Sequence, residues 1–374
     1  MSFSRRSFLK LPVALAAAAS TSAVGAVAGG RFLSTEMGGA PTQGERLRRM
    51  QANPFWREGA FFNEPGGTGR PAEAEARWKK VRHLFANKSP ELKPSIVIPH
   101  EKTDLRTLKD GEMVWLGHSG FLLRTAGLTI AVDPALNAAC PVPGFFMPFK
   151  GADVYQSDDL PAIDILLITH DHYDHLDYPV IRDIRSRVKH VVCPLGVGAH
   201  FEAWGYDPRR ITETVWWEDI RPAPGVRFTC VPGQHFSGRT LIMNTTLWAG
   251  YVLEIKGFTL YLSGDSGWGS HFAAVKNAFG SPDLAIMEDG QYNENWSNIH
   301  MMPTAWRRAV TDLSPRVVMP CHNSKYALSR HAWNDPLICA RASANAVGTP
   351  LLTPLIGARI SLADPMAAAK IWWS

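Results

Sequence analysis

The 374-residue sequence has few cysteines, little net charge and no long uninterrupted apolar run. Its five cysteines are scattered and form no CxxC pair, so we interpret most of them as small buried hydrophobic residues, with Cys321, next to His322, as the exception. The formal net charge is +5, and three of these charges (Arg5, Arg6 and Lys10) lie in residues 1–28, which contain no acid, leaving +2. A nucleic-acid partner is therefore not expected.

The N-terminus is typical of an export signal. Residues 4–10 (SRRSFLK) resemble the twin-arginine consensus, and residues 11–24 are alanine-rich and mildly apolar. Small residues at 26–28 suit a cleavage site, whereas interruption by Pro and Ser makes an uncleaved membrane anchor the poorer interpretation. We predict a twin-arginine signal peptide over residues 1–28 and a periplasmic protein.

The remaining chain divides by pattern into an arm and one large domain. Residues 29–109 are rich in Gly, Pro and charged residues, with a weak helical pattern over 72–85, and are predicted to lie over the domain as an arm. In residues 110–374 short apolar strands alternate with helices in two similar halves, which predicts an α/β domain with two sheets back to back and helices outside. The loop 135–158, with several aromatic residues, is either a substrate lid or folded back on the core.

A dense cluster of metal-ligand residues, His170-Asp171-His172-Tyr173-Asp174-His175, directly follows the apolar run 163–169. That run predicts a strand buried on both faces. On an extended strand end, His170 and His172 point the same way, and Asp174 and His175 follow within one turn. Imidazole and carboxylate groups are good ligands for zinc and similar divalent ions, so we predict a metal site here rather than a solvated polar loop.

Three other predicted strands end in matching residues. His235 follows the strand around 226–231, Asp265 follows the strand 258–263, and His322 follows the strand 317–319. One such residue alone is more often structural. Sites commonly gather where several strands end under loops, so four such ends in one chain predict a shared centre.

These residues resemble the metallo-β-lactamase superfamily, and in particular its branch containing N-acylphosphatidylethanolamine-hydrolysing phospholipase D. The resemblance extends over roughly residues 57–335 and rests on FFN at 61–63, WLGHS at 115–119, HDHYDHLD at 170–177, WWE at 216–218, QHFSGR at 234–239, SGDSG at 263–267 and IHMMP at 299–303. It implies an αββα sandwich of two mixed sheets packed face to face. Two stretches depart from the branch pattern, residues 322–325 (HNSK) and 287–292 (MEDGQY).

The resemblance also implies a ligand scheme for two Zn²⁺ ions, although another divalent transition metal is an alternative. His170, His172 and His235 would hold one ion, Asp174, His175 and His322 the second, and Asp265 would bridge both. In the superfamily this Asp is typical of phosphodiesterases and phospholipases, so a β-lactamase is disfavoured.

The expected chemistry is attack on phosphorus by hydroxide formed from a water that two divalent ions share. Asp174 would accept a hydrogen bond from the nucleophile. His300 would contact the phosphate or protonate the leaving group, unless it is a surface residue. Arg239 would pair with a phosphate oxygen or form a structural ion pair, and His118 is expected to support the ligands or the turn.

The predicted substrate is an N-acylated or ordinary phospholipid, or another small phosphodiester, with transient contact to a membrane surface. Trp268, Phe272, Met301 and Met302 would either wall an acyl groove or belong to the core. A lactonase resembling ascorbate-6-phosphate lactonases is the alternative enzyme, and an exported metal-binding protein without turnover is the alternative outside enzymes.

Overall fold

The structure, a computed structural model, describes residues 35–64, 89, 91–142 and 144–373. The signal peptide expected at 1–28 and the helical pattern at 72–85 lie outside the described residues. Among the residues described, no helix has both the length and the apolar character needed to cross a membrane.

The first large sheet has seven strands in the order β15-β3-β4-β5-β6-β7-β8. Its strands are β3 (Glu112–Gly117), β4 (Gly120–Thr125), β5 (Leu128–Val132), β6 (Ile163–Leu167), β7 (Val188–Pro194), β8 (Ile211–Thr214) and β15 (Arg359–Ser361). Pairing is antiparallel from β15 to β5 and parallel from β5 to β8.

The second large sheet has six strands in the order β14-β13-β12-β11-β10-β9. These are β9 (Asp219–Ala223), β10 (Val226–Val231), β11 (Gly250–Ile255), β12 (Phe258–Leu262), β13 (Leu284–Glu288) and β14 (Val318–Cys321). The antiparallel pairs lie from β9 to β12, and β12, β13 and β14 pair in parallel. Both sheets are mixed, as predicted.

Alternation along the strands separates the apolar layers. Met113 and Trp115 face the core between the two sheets, whereas Val114 and Leu116 face the outer side of the seven-stranded sheet. In β12, Tyr261 likewise faces outward while its neighbours Leu260 and Leu262 face the central core. Each sheet therefore has an apolar outer face that helices must cover.

Helices cover these outer faces. The α-helices with described bounds are α1 (Gly44–Gln51), α2 (Tyr178–Ile184), α3 (Gly198–Ala203), α4 (His271–Phe279), α5 (Pro303–Leu313) and α6 (Asp335–Val347). Helices α2 and α3 cover the seven-stranded sheet, and α4, α5 and α6 cover the six-stranded one. In α5 the buried residues Trp306, Ala309, Val310 and Leu313 form one helical face. The predicted αββα sandwich is confirmed.

Some elements carry no clear signal in the sequence. Strand β8 ends at Thr214, because Val215 begins a turn in which Val215 O accepts Glu218 N at 3.0 Å. Strands β9 and β15 and helix α6 had not been predicted. Strand β9 has only half-buried or exposed residues, so it lacks the apolar alternation that identifies a strand.

Residues 35–64 contain α1 and a two-stranded hairpin, β1 (Trp56–Arg57) and β2 (Ala60–Phe61), and they pack on the domain. Arg46 Nε lies 2.8 Å from a Glu213 carboxylate oxygen, and Phe61 is fully buried in the central core. The loop 135–158 is only partly folded back on the core. Phe149 is buried, whereas Phe145 and Met147 are 62% and 51% exposed.

Candidate metal centre

The histidine-rich segment begins two residues after β6 and turns back on itself. His175 N and Leu176 N both donate to His172 O, at 3.1 and 2.8 Å, and this turn carries Asp174 and His175 to the side opposite His172. Asp177 then caps α2 by accepting Val180 N. This one short segment therefore supplies candidate metal ligands to two separate sites.

A first donor set consists of His170, His172, His235 and Asp265, whose ligand atoms all lie within 4.8 Å of one another. His172 Nδ1 lies 2.8 Å from His170 Nε2 and 3.2 Å from His235 Nε2. The structure thus brings together the three histidines that the sequence assigned to one metal ion.

A second donor set consists of His118, Asp174, His175 and His322, again within 4.8 Å. Asp174, His175 and His322 are the residues assigned to the second ion. His118, which the sequence analysis treated as a supporting residue, lies beside them: its Nε2 is 3.0 Å from Asp174 Oδ2.

Asp265 lies between the two sets and turns one carboxylate oxygen toward each. Its Oδ2 is 3.8 Å from His170 Nε2 and 3.6 Å from His235 Nε2. Its Oδ1 is 3.2 Å from His175 Nε2 and 3.1 Å from His322 Nδ1. This is the arrangement expected of a carboxylate that bridges two cations.

The donor chemistry fits divalent metal ions. His175 Nε2 and Asp265 Oδ1 are buried and face each other at 3.2 Å, yet neither makes a hydrogen bond of acceptable geometry in the described structure, an arrangement that is costly unless a cation satisfies them. Burial, together with the neighbouring histidines, lowers the pKa of His170 well below its usual value, which favours the neutral imidazole that binds metal. Burial acts to raise the pKa of Asp265, yet the facing histidines hold it well below its usual value, so the carboxylate is ionised.

Asp133, which the sequence analysis did not single out, supports the ligands from behind. Its Oδ2 lies 2.8 Å from His175 Nδ1 and 2.6 Å from Thr169 Oγ1. Thr169 Oγ1 in turn lies 3.0 Å from His170 Nδ1. A carboxylate on the nitrogen opposite the metal orients a ligand histidine and increases its basicity. The sequence did indicate its location, though not its partner, since Asp133 directly follows a strand that lies next to β6.

The arm supports the His235 loop. Asn63 exchanges two hydrogen bonds with the His235 backbone, from Asn63 Nδ2 to His235 O at 2.9 Å and from His235 N to Asn63 Oδ1 at 3.0 Å. His235 Nδ1 lies 3.0 Å from Ile299 O, which leaves Nε2 for the centre. The FFN motif in the arm is therefore part of the site.

His300 lies at the edge of the centre, with a ring nitrogen within 4.8 Å of the donor atoms of Asp265 and His322. Its ring stacks on His322 at 5.1 Å between centroids, with 9° between planes. His300 Nδ1 lies 2.9 Å from Glu288 Oε2, a pairing that the sequence analysis missed. Burial raises the pKa of Glu288 to about 7. Burial alone would lower the pKa of His300, but the facing Glu288 carboxylate raises it above its usual value.

Arg239 was expected to pair with a phosphate oxygen or to form a structural ion pair, and the structure places its guanidinium against backbone carbonyls instead. Its guanidinium is buried and donates to Glu36 O at 2.9 Å, Asp171 O at 2.9 Å and Leu176 O at 2.7 Å, with Nη2 buried and without a partner in the described structure. It stacks on Tyr173 at 4.0 Å. Arg239 therefore holds the backbone of the histidine-rich segment from the side away from the donors.

Of the two alternatives given for Trp268, a wall of an acyl groove or the core, its contacts favour the core. Trp268 Nε1 donates to Asp312 Oδ2 at 2.9 Å and its ring lies under the Arg308 guanidinium at 3.6 Å, so it belongs to the outer helical layer. Phe272 and Met301 are fully buried in that layer, as the core alternative predicted. Cys321 is buried and has a thiol pKa raised by burial, so it is not a reactive thiol.

A four-layer sandwich with two histidine- and aspartate-rich donor sets at its strand ends defines a metallohydrolase. The family model described as "Beta-lactamase superfamily domain" matches residues 130–323, and the chain belongs to this superfamily.

The chain is also similar to individual proteins. An uncharacterised protein of Mycobacterium tuberculosis is 32% identical over 334 residues, which cover 86% of this chain and 88% of the relative. The N-acyl-phosphatidylethanolamine-hydrolyzing phospholipase D 1 of Caenorhabditis elegans is 29% identical over 198 residues, which cover 49% of this chain and 54% of that protein. The metallo hydrolase Igni18 of Ignicoccus hospitalis superposes on 67% of this chain and 97% of its own length with a TM-score of 0.54 and 19% identity, which shows a shared fold.

Proposed function

We propose that the protein is a binuclear zinc hydrolase of phosphodiester bonds that performs a phospholipase D-type reaction on N-acyl phosphatidylethanolamine or a related phospholipid. The observation that carries the proposal is Asp265, which turns Oδ1 toward one donor set and Oδ2 toward the other. The phospholipase D relative in Caenorhabditis elegans supports the substrate class, through a match to about half of that protein.

The residues present would hold two divalent cations, which when bound acidify a water and polarise a phosphoryl oxygen. Asp174 would orient the attacking water. Its Oδ2 is engaged by His118, whereas Oδ1 makes no hydrogen bond within the described structure and is available to accept one from the water. Facing histidines, above all His175, outweigh the effect of burial and keep the pKa of Asp174 below its usual value, so this carboxylate is an acceptor at neutral pH.

His300 would deliver the proton to the leaving oxygen. Because Glu288 occupies Nδ1, the Nε2 atom is the one available to the substrate. Glu288 stabilises the protonated imidazole, and its second oxygen accepts Met301 N at 3.0 Å, which fixes the carboxylate. The pair therefore places an imidazole that can carry a proton beside the centre.

The test is hydrolysis of N-acyl phosphatidylethanolamine in ¹⁸O-labelled water by protein whose metal content has been measured. We expect two zinc ions per chain and phosphatidic acid carrying the ¹⁸O label, since attack occurs on phosphorus. Protein that binds fewer than two ions, or that opens a phosphorylated lactone and leaves phosphodiesters intact, would overturn the proposal.

We also propose that the protein acts in the periplasm after twin-arginine export, on the basis of the SRRSFLK motif at residues 4–10. The double variant Arg5→Lys/Arg6→Lys should remain in the cytoplasm, measured by fractionation and immunoblotting. Unchanged export of that variant would remove the twin-arginine proposal.

A further inference from the structure

We propose that the β3–β4 turn, Gly117–Gly120, positions the ligands of the second metal ion alone, with His118 orienting Asp174. The inference rests on the binuclear centre proposed above. It adds a role for residues that lie outside the seven predicted ligands and predicts that the two metal positions can be weakened separately.

His118 contacts Asp174 directly. Its side chain is fully buried, and its Nε2 lies 3.0 Å from Asp174 Oδ2 with the geometry of an N–H donor. Nδ1 has no partner in the described structure, so the neutral ring with its proton on Nε2 satisfies the contact. This hydrogen bond fixes the orientation of the Asp174 carboxylate beside His175, whose Nε2 lies 3.9 Å from the same Oδ2.

The same turn holds His322 by two further contacts. Ser119 Oγ lies 3.2 Å from His322 Nδ1, the nitrogen that also faces Asp265 Oδ1, so the hydroxyl borders this atom and limits how the ring can turn. His322 N donates to His118 O at 3.1 Å. His118 and His322 both have positive φ, 55° and 63°, a conformation that non-glycine residues adopt only when their surroundings enforce it. The turn therefore determines the orientation of two of the three ligands assigned to the second ion.

Lys325 holds the β3–β4 turn in place through hydrogen bonds to the backbone. Its buried ammonium donates to Leu116 O at 3.0 Å and to Ala135 O at 2.8 Å. A Cβ atom on Gly117 would lie 3.2 Å from Lys325 Cδ, so the turn and the lysine are closely packed. Ala135 lies two residues after Asp133, which contacts His175. Lys325 therefore connects the turn that contacts Asp174 and His322 with the segment that contacts His175.

The histidines assigned to the first metal ion are held by other residues. Asn63 and Ile299 hold His235, and Thr169 contacts His170. Within the described structure the 117–120 turn makes no hydrogen bond to His170, His172 or His235. Loosening the turn should therefore weaken one metal position and leave the other intact.

The experiment measures metal binding by competition titration with a chromophoric zinc chelator, for the full chain and its variants. Wild-type protein should bind two equivalents. His118→Phe, which keeps a ring and removes the donor, should bind one equivalent with wild-type affinity and the other 10- to 100-fold more weakly, the usual cost of losing an outer partner of a ligand. His118→Gln, whose amide can donate from a similar point, should restore the second equivalent to within a few-fold of wild type.

His190→Phe is the matched control, because His190 bonds Thr212 at the far edge of the sheet and its replacement should change neither equivalent. Two tight equivalents in His118→Phe, or loss of both in a variant with a native circular dichroism spectrum, would overturn the inference. So would zinc X-ray absorption that shows one histidine fewer in His118→Gln, since His118 would then be a ligand.

If His118→Phe does not fold, Ser119→Ala removes a single hydroxyl and should weaken the same equivalent; two unchanged equivalents would overturn the inference. Fewer than two equivalents in the wild-type protein would instead overturn the proposed binuclear function.

Discussion

Glu288 is buried and pairs with the partly buried His300, with Glu288 Oε2 2.9 Å from His300 Nδ1. Strand β13 ends at Glu288, and His300 lies just before α5, so the pair joins the strand end to the loop that covers it. The Glu288 carboxylate occupies Nδ1 of His300, and the ring is held against His322 by stacking. The Nε2 atom is therefore the imidazole nitrogen that faces the centre.

Replacing Glu288 with Gln should slow the chemical step and leave metal binding unchanged. The amide cannot stabilise a protonated His300, so we expect kcat to fall about 10- to 100-fold, within the range for a general acid. Turnover of a phosphodiester and zinc content are measured together. Glu254→Gln, which removes a carboxylate paired with Arg227 on the surface, is the control. A full rate in Glu288→Gln would contradict the role given to the pair.

Replacing Asp265 with Asn should impair both metal positions, because Asp265 is the residue that faces both donor sets. Loss of a ligand should exceed the roughly 100-fold effect of losing an outer partner, and we expect activity to fall by more than that. Zinc content per chain and hydrolysis are the measurements, with the exposed Asp183→Asn as the control. Two tightly bound ions in Asp265→Asn would refute the bridging assignment.

Replacing Arg239 with Met should destabilise the protein and not weaken substrate binding. The change leaves three buried carbonyls without their donor, so we expect a loss of about 3 kcal/mol or more in the free energy of unfolding. Chemical denaturation measures the loss, and Arg221→Met at an exposed position is its control. If Arg239→Met left the free energy of unfolding unchanged and raised KM tenfold, the phosphate contact would be the correct role for Arg239.

Lys325 should make stability depend on pH in the alkaline range. Burial lowers the pKa of Lys325 from 10.5 to about 8, so between these values the unfolded chain binds more protons and stability rises with pH. The cost of the buried charge is fully present below pH 8. Relative to Lys325→Met, the wild type should gain about 1 kcal/mol between pH 7.5 and 9. Urea denaturation at equal metal loading measures the difference, and a pH-independent difference would show that Lys325 does not titrate there.

Much of this centre was predictable because its ligands are local in sequence or end strands. Four donors lie in the six residues 170–175, and the apolar run before them predicted β6. Asp265 and His322 were identifiable because each follows an apolar strand that ends in polar residues. The spacing of apolar residues along a strand or helix reflects which side chains are buried, and this spacing can be read directly from the sequence.

The supporting contacts were not predictable in this way. Asp133, Glu288 and Asn63 each act on a residue at least 12 positions away, and no local pattern states which distant groups will meet. The alternatives for Arg239 and Trp268 stayed open for the same reason, since a guanidinium or an indole near a strand end suits a substrate and a protein acceptor equally well.

The sequence by itself determined the layer order, the identity of the seven predicted donors and the strands that present them, because hydrophobic alternation and short-range motifs depend on neighbouring residues. Only the tertiary structure decided that Asp265 faces both donor sets, that His118 holds Asp174 and that His300 has a carboxylate behind it. These are relationships between side chains on separate loops, and their distances are set by how the two sheets pack.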